Sequence, residues 1–329
     1  MRVARFLLRR ARAQLGTLLT LLVLAATVAA ILAGTIGYTR AAGVSTVRST
    51  LVEAPAREAG IQVQTRLADD PDAQDAAVRA TLTRLLGPDL AVSRGLWTEP
   101  LGARAGQEEL RVVLAEPVAD VALAPGQVLV PEQVAGELPP GATLEVRGTA
   151  LEVAGTWHPT DDRAWFADPM VAAGTDGSAV GPLLADPGTV TELTDAPFVR
   201  WTVYPDPAAL TVTDLPALAT GLADLDFALG ADDAVAVRGL TVTGGLAQTV
   251  ADLEEATRTA AAVGLVPVAL LGVISLVALV QVVRLLGQAR ARETEILVAR
   301  GASPRQVTVW STAELVVVAL VGSAVGTVL

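Results

Sequence analysis

The sequence predicts a membrane protein: α-helical transmembrane segments with a large α+β extracytoplasmic domain inserted between the first and second spans. Three observations predict this class. The stretches 13–39 and 259–283 carry no charged residue, and 310–329 carries one, Glu314. Each reaches the ~20 residues a helix needs to cross ~30 Å of hydrocarbon. Arginines cluster beside them: Arg2, Arg5, Arg9, Arg10 and Arg12 before the first run, and Arg284, Arg290, Arg292, Arg300 and Arg305 between the second and third. The positive-inside rule then places 1–12 and the 284–309 loop in the cytoplasm, 40–258 outside, and the chain in the plasma membrane as a multi-pass protein.

The predicted elements run in order. Segment 1–12 is a basic cytoplasmic terminus and 13–39 the first span. A cleaved signal peptide has an apolar core of only about 7–15 residues, shorter than this run, so a retained anchor is expected. The helix continues outward toward Arg57, limited by Pro55 and Gly60. "IQVQTRL" (61–67) alternates as a strand does. In "DPDAQDAAVRATLTRLLGP" (70–88), Asp70 caps a helix, Pro71 suits its first turn, and Gly87-Pro88 ends it. Strands follow at 90–97 and 109–115. "GATLEVRGTALEVAGTW" (141–157) reads as a hairpin around Gly148-Thr149.

Residues 158–196, rich in Pro, Gly and Asp, are expected to be loops with Trp157, Trp165 and Phe166 packing beneath. A strand at 198–204, a helix at 214–229 and a strand at 234–242 complete the domain. From Leu246 a helical pattern runs without a break into the second span, 259–283, where Pro267 is either a hinge or a tolerated kink. The 284–309 loop and the third span, 310–329, follow.

Composition excludes several chemistries. The chain has no cysteine and no lysine. Phosphate-loop ATP hydrolysis needs a lysine on the phosphates, so the chain is not itself such an ATPase. The sole histidine, His158, has no second imidazole or thiolate beside it, so no metal site is expected. No serine stands in a nucleophile elbow. No catalytic residue, cofactor or metal is assigned, and the protein is not expected to be an enzyme. The stretch 40–258 holds 14 arginines against 32 acids, a net charge of −18, which opposes nucleic-acid binding.

The 284–309 loop is more definite than a chain reversal requires. Arg290–Glu293 and Arg292–Glu295 are i,i+3 pairs on a helix that continues the second span through Ile296 and Leu297. Gly301 stands where a left-handed cap would sit. Ser303 starts a new helix, Pro304 fits its first position, and Gln306 completes a capping box. A stiff element that transmits force and a well-capped passive turn both remain open from residue types alone. In the third span, Glu314 is a functional candidate by default or a group reaching the inner interface. Gly322-x-x-x-Gly326 permits close helix packing.

"RARETEILVARGASPRQVTVWSTAELVVVALVGSAVG" (290–326) resembles the signature region of FtsX-like permeases, the MacB-type membrane subunits of ABC transporters. Arg292, Glu295, Ile296, Leu297, Arg300, Gly301, Ala302, Glu314, Gly322 and Gly326 fit that pattern; "VAR" (298–300) departs from it. The resemblance makes 260–329 the start of a permease domain and 40–258 a periplasmic-core-type domain with helical stalks. It implies that Arg292, Glu293, Glu295, Ile296, Arg300, Gly301, Ala302, Ser303, Pro304 and Gln306 form a coupling element for a separate ATPase subunit. A second permease subunit or a second copy, and membrane lipids, are the other implied partners. Compact members continue into a fourth span, so a fragment or half of a split permease is expected. The alternative is a membrane-anchored sensor or ligand-binding module with no ATPase partner.

Overall fold

A computed structural model describes residues 15–118, 121–236 and 238–289, with single helical positions at 316, 320, 321 and 324. The chain divides into two units, Val44–Ala256, and Met1–Gly43 with Thr257–Leu329. In the second of these, the described backbone apart from those four positions belongs to two helices that begin or end in the other unit. Helix α1, Leu15–Glu53, spans 39 residues. Helix α7, Leu246–Ala289, spans 44 and passes Pro267 without interruption of the helical backbone. Counted over the described residues, no helix is long and apolar enough to cross a membrane. Helical backbone nevertheless covers 15–39 of the first uncharged run and all of 259–283, several of whose side chains are not described.

The Val44–Ala256 unit is α+β. After α1 come α2 (Ala56–Ala59), β1 (Ile61–Arg66), α3 (Pro71–Leu86), β2 (Leu90–Trp97), β3 (Leu101–Ala105) and β4 (Glu108–Ala115). Next are β5 (Gln127–Pro131), β6 (Thr143–Val146), β7 (Thr149–Trp157), α4 (Pro169–Ala173), β8 (Val180–Ala185) and α5 (Pro187–Leu193). β9 (Phe198–Pro205), α6 (Leu215–Gly230) and β10 (Thr241–Thr243) precede α7.

The strands follow the order β10-β1-β9-β2-β4-β3-β6-β7-β5-β8, and β8 also pairs with β4. That last pairing closes β4, β3, β6, β7, β5 and β8 into a six-stranded barrel. The other four strands form an antiparallel sheet joined to it at a single pair, Trp97 opposite Ala115. Thr98 reinforces the junction: its backbone N–H donates to Leu114 O at 2.9 Å, and its hydroxyl accepts from Leu114 N at 2.9 Å.

The sheet has one apolar and one polar face because its strands alternate. Ile61 and Val63 of β1, with Val199, Trp201 and Val203 of β9, point toward α3 and α6 and share one core cluster. α3 presents Val78, Leu82 and Leu86, and α6 presents Leu215, Leu218, Leu225 and Leu229, at helical spacing. The helices approach closely at Gly221, where any Cβ would overlap the carbonyl oxygen of Leu85. The same cluster continues into the barrel interior through Leu114, Val128, Leu144, Leu151 and Leu183. It also takes in Val47 and Leu51 of α1 and Leu246, Val250 and Leu253 of α7. The inner ends of both long helices are therefore built into the core.

Several expected elements stand as read. Asp70 accepts from Ala73 N at 3.0 Å, and Gly87 ends α3 at φ 98°. The β6–β7 hairpin turns at Arg147-Gly148, both at positive φ, one residue before the expected point. Residues 158–196 are not only loops: α4, β8 and α5 lie within them. β8 reads "VGPLLA", an apolar run with no alternation, because every residue after Val180 is buried. β3 and β5 are additional strands, and the expected 234–242 strand contracts to β10.

Candidate functional site

The coupling residues Arg292, Glu293, Glu295, Ile296, Arg300, Gly301, Ala302, Ser303, Pro304 and Gln306 lie outside the described residues, as do Glu314, Gly322 and Gly326. The structure instead draws attention to the place where α1 ends and α7 begins, inside the Val44–Ala256 unit. None of the residues that build it were singled out by sequence except Trp157, Trp165 and Phe166.

The first component is Arg163, in the loop after β7. The final carbonyls of a helix lack intrahelical donors and carry the negative end of its dipole. Arg163 Nη2 donates to three such carbonyls at the end of α1: Leu51 at 2.8 Å, Val52 at 2.9 Å and Ala54 at 3.4 Å. The guanidinium lies 5.5 Å from the centre of the Tyr204 ring. In return, Tyr204 Oη donates to Arg163 O at 3.0 Å. Burial pushes the Tyr204 phenol up to about 12; Arg163 opposes that rise and Asp161 adds to it. A residue 112 positions away in sequence thus caps the longest apolar helix of the N-terminal half.

The second component ties the same loop to the start of α7. Arg57 Nε donates to Phe166 O at 3.3 Å. Arg57 O accepts from Gly245 N at 2.6 Å, and Glu58 O accepts from Thr249 Oγ1 at 2.8 Å. Gly244 has φ 132°, and a Cβ there would overlap Gly60 O, so only glycine lets the two segments approach. Phe166 and Ala167 are non-glycine residues at φ 54° and 45°. These angles turn the loop so that Trp165 and Phe166 point to different neighbours. Trp165 packs on Trp157 with ring centres 5.0 Å apart and edge-on to Trp97 at 6.1 Å. Phe166 meets Tyr204 at 6.4 Å.

The third component is the polar face of the four-stranded sheet. Register places two cross-strand rows on it. One runs Thr243, Gln62, Thr202, Ser93, and the other Thr241, Gln64, Arg200, Gly95. Arg200 is held by an amide, a carboxylate and an aromatic ring. Its Nε donates to Gln64 Oε1 at 2.7 Å, its Nη1 to Asp168 Oδ2 at 3.1 Å, and its guanidinium stacks 3.9 Å from the Trp97 ring centre. Burial lowers the Arg200 pKa from its ordinary value. The Asp168 carboxylate opposes that effect, and the like charge of Arg57 adds to it. Asp168 is itself fixed as the cap of α4, accepting from Met170 N at 2.9 Å.

Among the described residues, no cluster of three or more His, Asp or Glu side chains is placed to hold a metal. His158 is exposed, its Nδ1 3.5 Å from Glu132 Oε1. The assembly supplies hydrogen-bond donors and mechanical ties.

No protein-family model matches the chain, and no curated protein matches it. Among solved structures, it is similar to a crystal structure of a domain assigned to a permease protein from Porphyromonas gingivalis. The two are 12% identical with a TM-score of 0.29, over 57% of this chain and 89% of that one. A likeness of that size is too slight to bear on fold or role.

Proposed function

We propose that the protein is a non-catalytic permease subunit of an ABC transporter, spanning the plasma membrane and coupling ATP hydrolysis by a separate ATPase subunit to movement of an extracytoplasmic α+β domain. The observation that carries this reading is the 290–326 sequence pattern, in which Gly301 and the Ser303-Pro304-Arg305-Gln306 string stand between two apolar runs. Two features of the helices support it. Val263, Leu270, Val273 and Leu276 of α7 are each at least 60% exposed, an apolar surface that hydrocarbon would cover. Each long helix also runs unbroken into a core where its end is tied by Arg163 or by Arg57. A displacement of the helix is then passed to the α+β domain rather than absorbed in a flexible linker.

The test is co-purification. Charge reversal at Arg292 or Arg300, or Ile296→Pro, is expected to abolish recovery of a nucleotide-hydrolysing partner from detergent while membrane insertion persists. Recovery equal to that of the unmodified chain would count against the coupling role. A second reading, a membrane-anchored ligand-binding module, draws on the polar sheet face around Arg200. It expects no ATPase partner under any of these conditions.

A further inference from the structure

A cavity of about 570 Å³ opens on the polar sheet face at the joint of the long helices. Its floor carries Gln64 and Arg200, one wall carries Thr241 and Thr243, and its rim carries Arg57 and Gly245. A guanidinium has five N–H donors. Arg200 engages two of them, with Gln64 and Asp168, which leaves three without an acceptor among the described residues. Its side chain is only 21% exposed, yet none of its nitrogens is both fully enclosed and unpaired. Arg200 lines this cavity, and also a smaller one beside Gly95 and Trp97. Arg57 uses its Nε on Phe166 O, and its two terminal nitrogens have no acceptor among the described residues. The Gln64 amide oxygen accepts from Arg200, and its amide nitrogen carries N–H donors. Both Asp168 oxygens are engaged, one by Arg200 and the other by Met170 N at the start of α4. Glu58 is the one carboxylate on the rim without such a role.

Two neighbouring cations, one of them immobilised by an aromatic ring, a carboxylate and an amide, make a forked donor surface. Such a fork takes the paired oxygens of a carboxylate or a phosphate, and the Glu58 carboxylate on the rim disfavours the more highly charged phosphate. We propose that this cavity binds a carboxylate group, held in bidentate fashion by Arg200 with Arg57 closing over it. The carboxylate belongs either to a small organic acid or to the free end of a peptide lying along β10, the edge strand. The inference stands apart from ATPase coupling, since it concerns only the cavity.

Titration calorimetry on the full chain, kept monodisperse at low ionic strength, tests it with four probes: glutarate, acetylated trialanine with a free carboxylate, the same peptide as its amide, and inorganic phosphate. Binding of glutarate or of the free-acid peptide, with none by the amide, supports the proposal, and which of the two binds names the source. Arg200→Lys keeps the charge but loses the fork. Arg57→Ala removes an exposed side chain and leaves its backbone ties in place. Each is expected to weaken binding at least about tenfold, the size of a lost charged hydrogen bond. Phosphate binding as tight as carboxylate binding, unchanged affinity in both variants, or no heat from any probe would overturn it. None of these results depends on whether an ATPase partner is found.

Discussion

Valine and leucine mean opposite things in the two units. In Val44–Ala256, Val63, Leu114 and Leu144 are wholly buried, and the core they form is continuous from helix layer to barrel. Along α7 beyond Thr257, the same residue types face outward: Val266 is 69% exposed and Leu276 61%. The α+β unit thus buries most of its large apolar side chains internally, Phe227 at 83% exposure being an exception. The helices do not, and on the proposed reading lipid completes them. Charge follows the same division, with the acids concentrated in 40–258 and none in 13–39 or 259–283.

The largest expected effect probes this contrast directly. Trp201 is fully buried and donates Nε1–H to Asp75 Oδ1 at 2.7 Å. Trp201→Ala is expected to cost about 3–5 kcal/mol in a urea melt followed by circular dichroism. Leu276→Ala should stay within about 0.5 kcal/mol in the same melt. Equal losses would mean that α7 packs against a protein surface there, and the contrast would fail.

A smaller effect is expected where the long helices are tied to the folded unit. Arg163→Ala removes the donor to the Leu51 and Val52 carbonyls of α1 and to Ala54 just beyond it, a loss of about 1.5–3 kcal/mol. Amide hydrogen exchange across 50–60 should accelerate about tenfold or more. Arg163→Lys should restore only part, lacking the planar fork. Exchange unchanged from the parent would show that α1 holds its end without this arginine.

The smallest effect is seen only in alkali. Tyr204 titrates near about 10 in an unfolded chain, and burial raises it to about 12 in the folded one. Between these values the folded state keeps a proton that the unfolded state has released. The Tyr204 contribution is therefore fully present below pH 10 and falls away as pH rises toward 12. Tyr204→Phe should flatten that decline in melts at stepped pH. An unaltered slope would assign the alkaline loss to other groups.

Much of the α+β fold was legible because its signals are local. Asp70, Pro71 and Gly87 mark the ends of α3 within one helix length, and Ile61-x-Val63 marks a strand facing one core. β8 escaped notice because "VGPLLA" is buried on both faces and so does not alternate. β10 shortened because the apolar alternation of 234–242 is interrupted by a turn around Asp232–Val235, closed by Val235 N donating to Asp232 O at 2.9 Å. The candidate site was nearly invisible. "DDRAWFAD" and "FVRWTVY" each place an arginine among aromatics, the one available hint, but neither string says what its arginine touches.

By itself the sequence determined the two long helices, the inner edges of the folded unit and the segregation of charge, since composition and periodicity act over a few turns of chain. Only the tertiary structure decided that six strands close into a barrel through β4 and β8, and that Arg163 reaches Leu51. It alone also set Arg200 beside Asp168 and Trp97. Those pairings join residues far apart in the chain, and their stability comes from backbone register and shared burial, which no local window of residues contains.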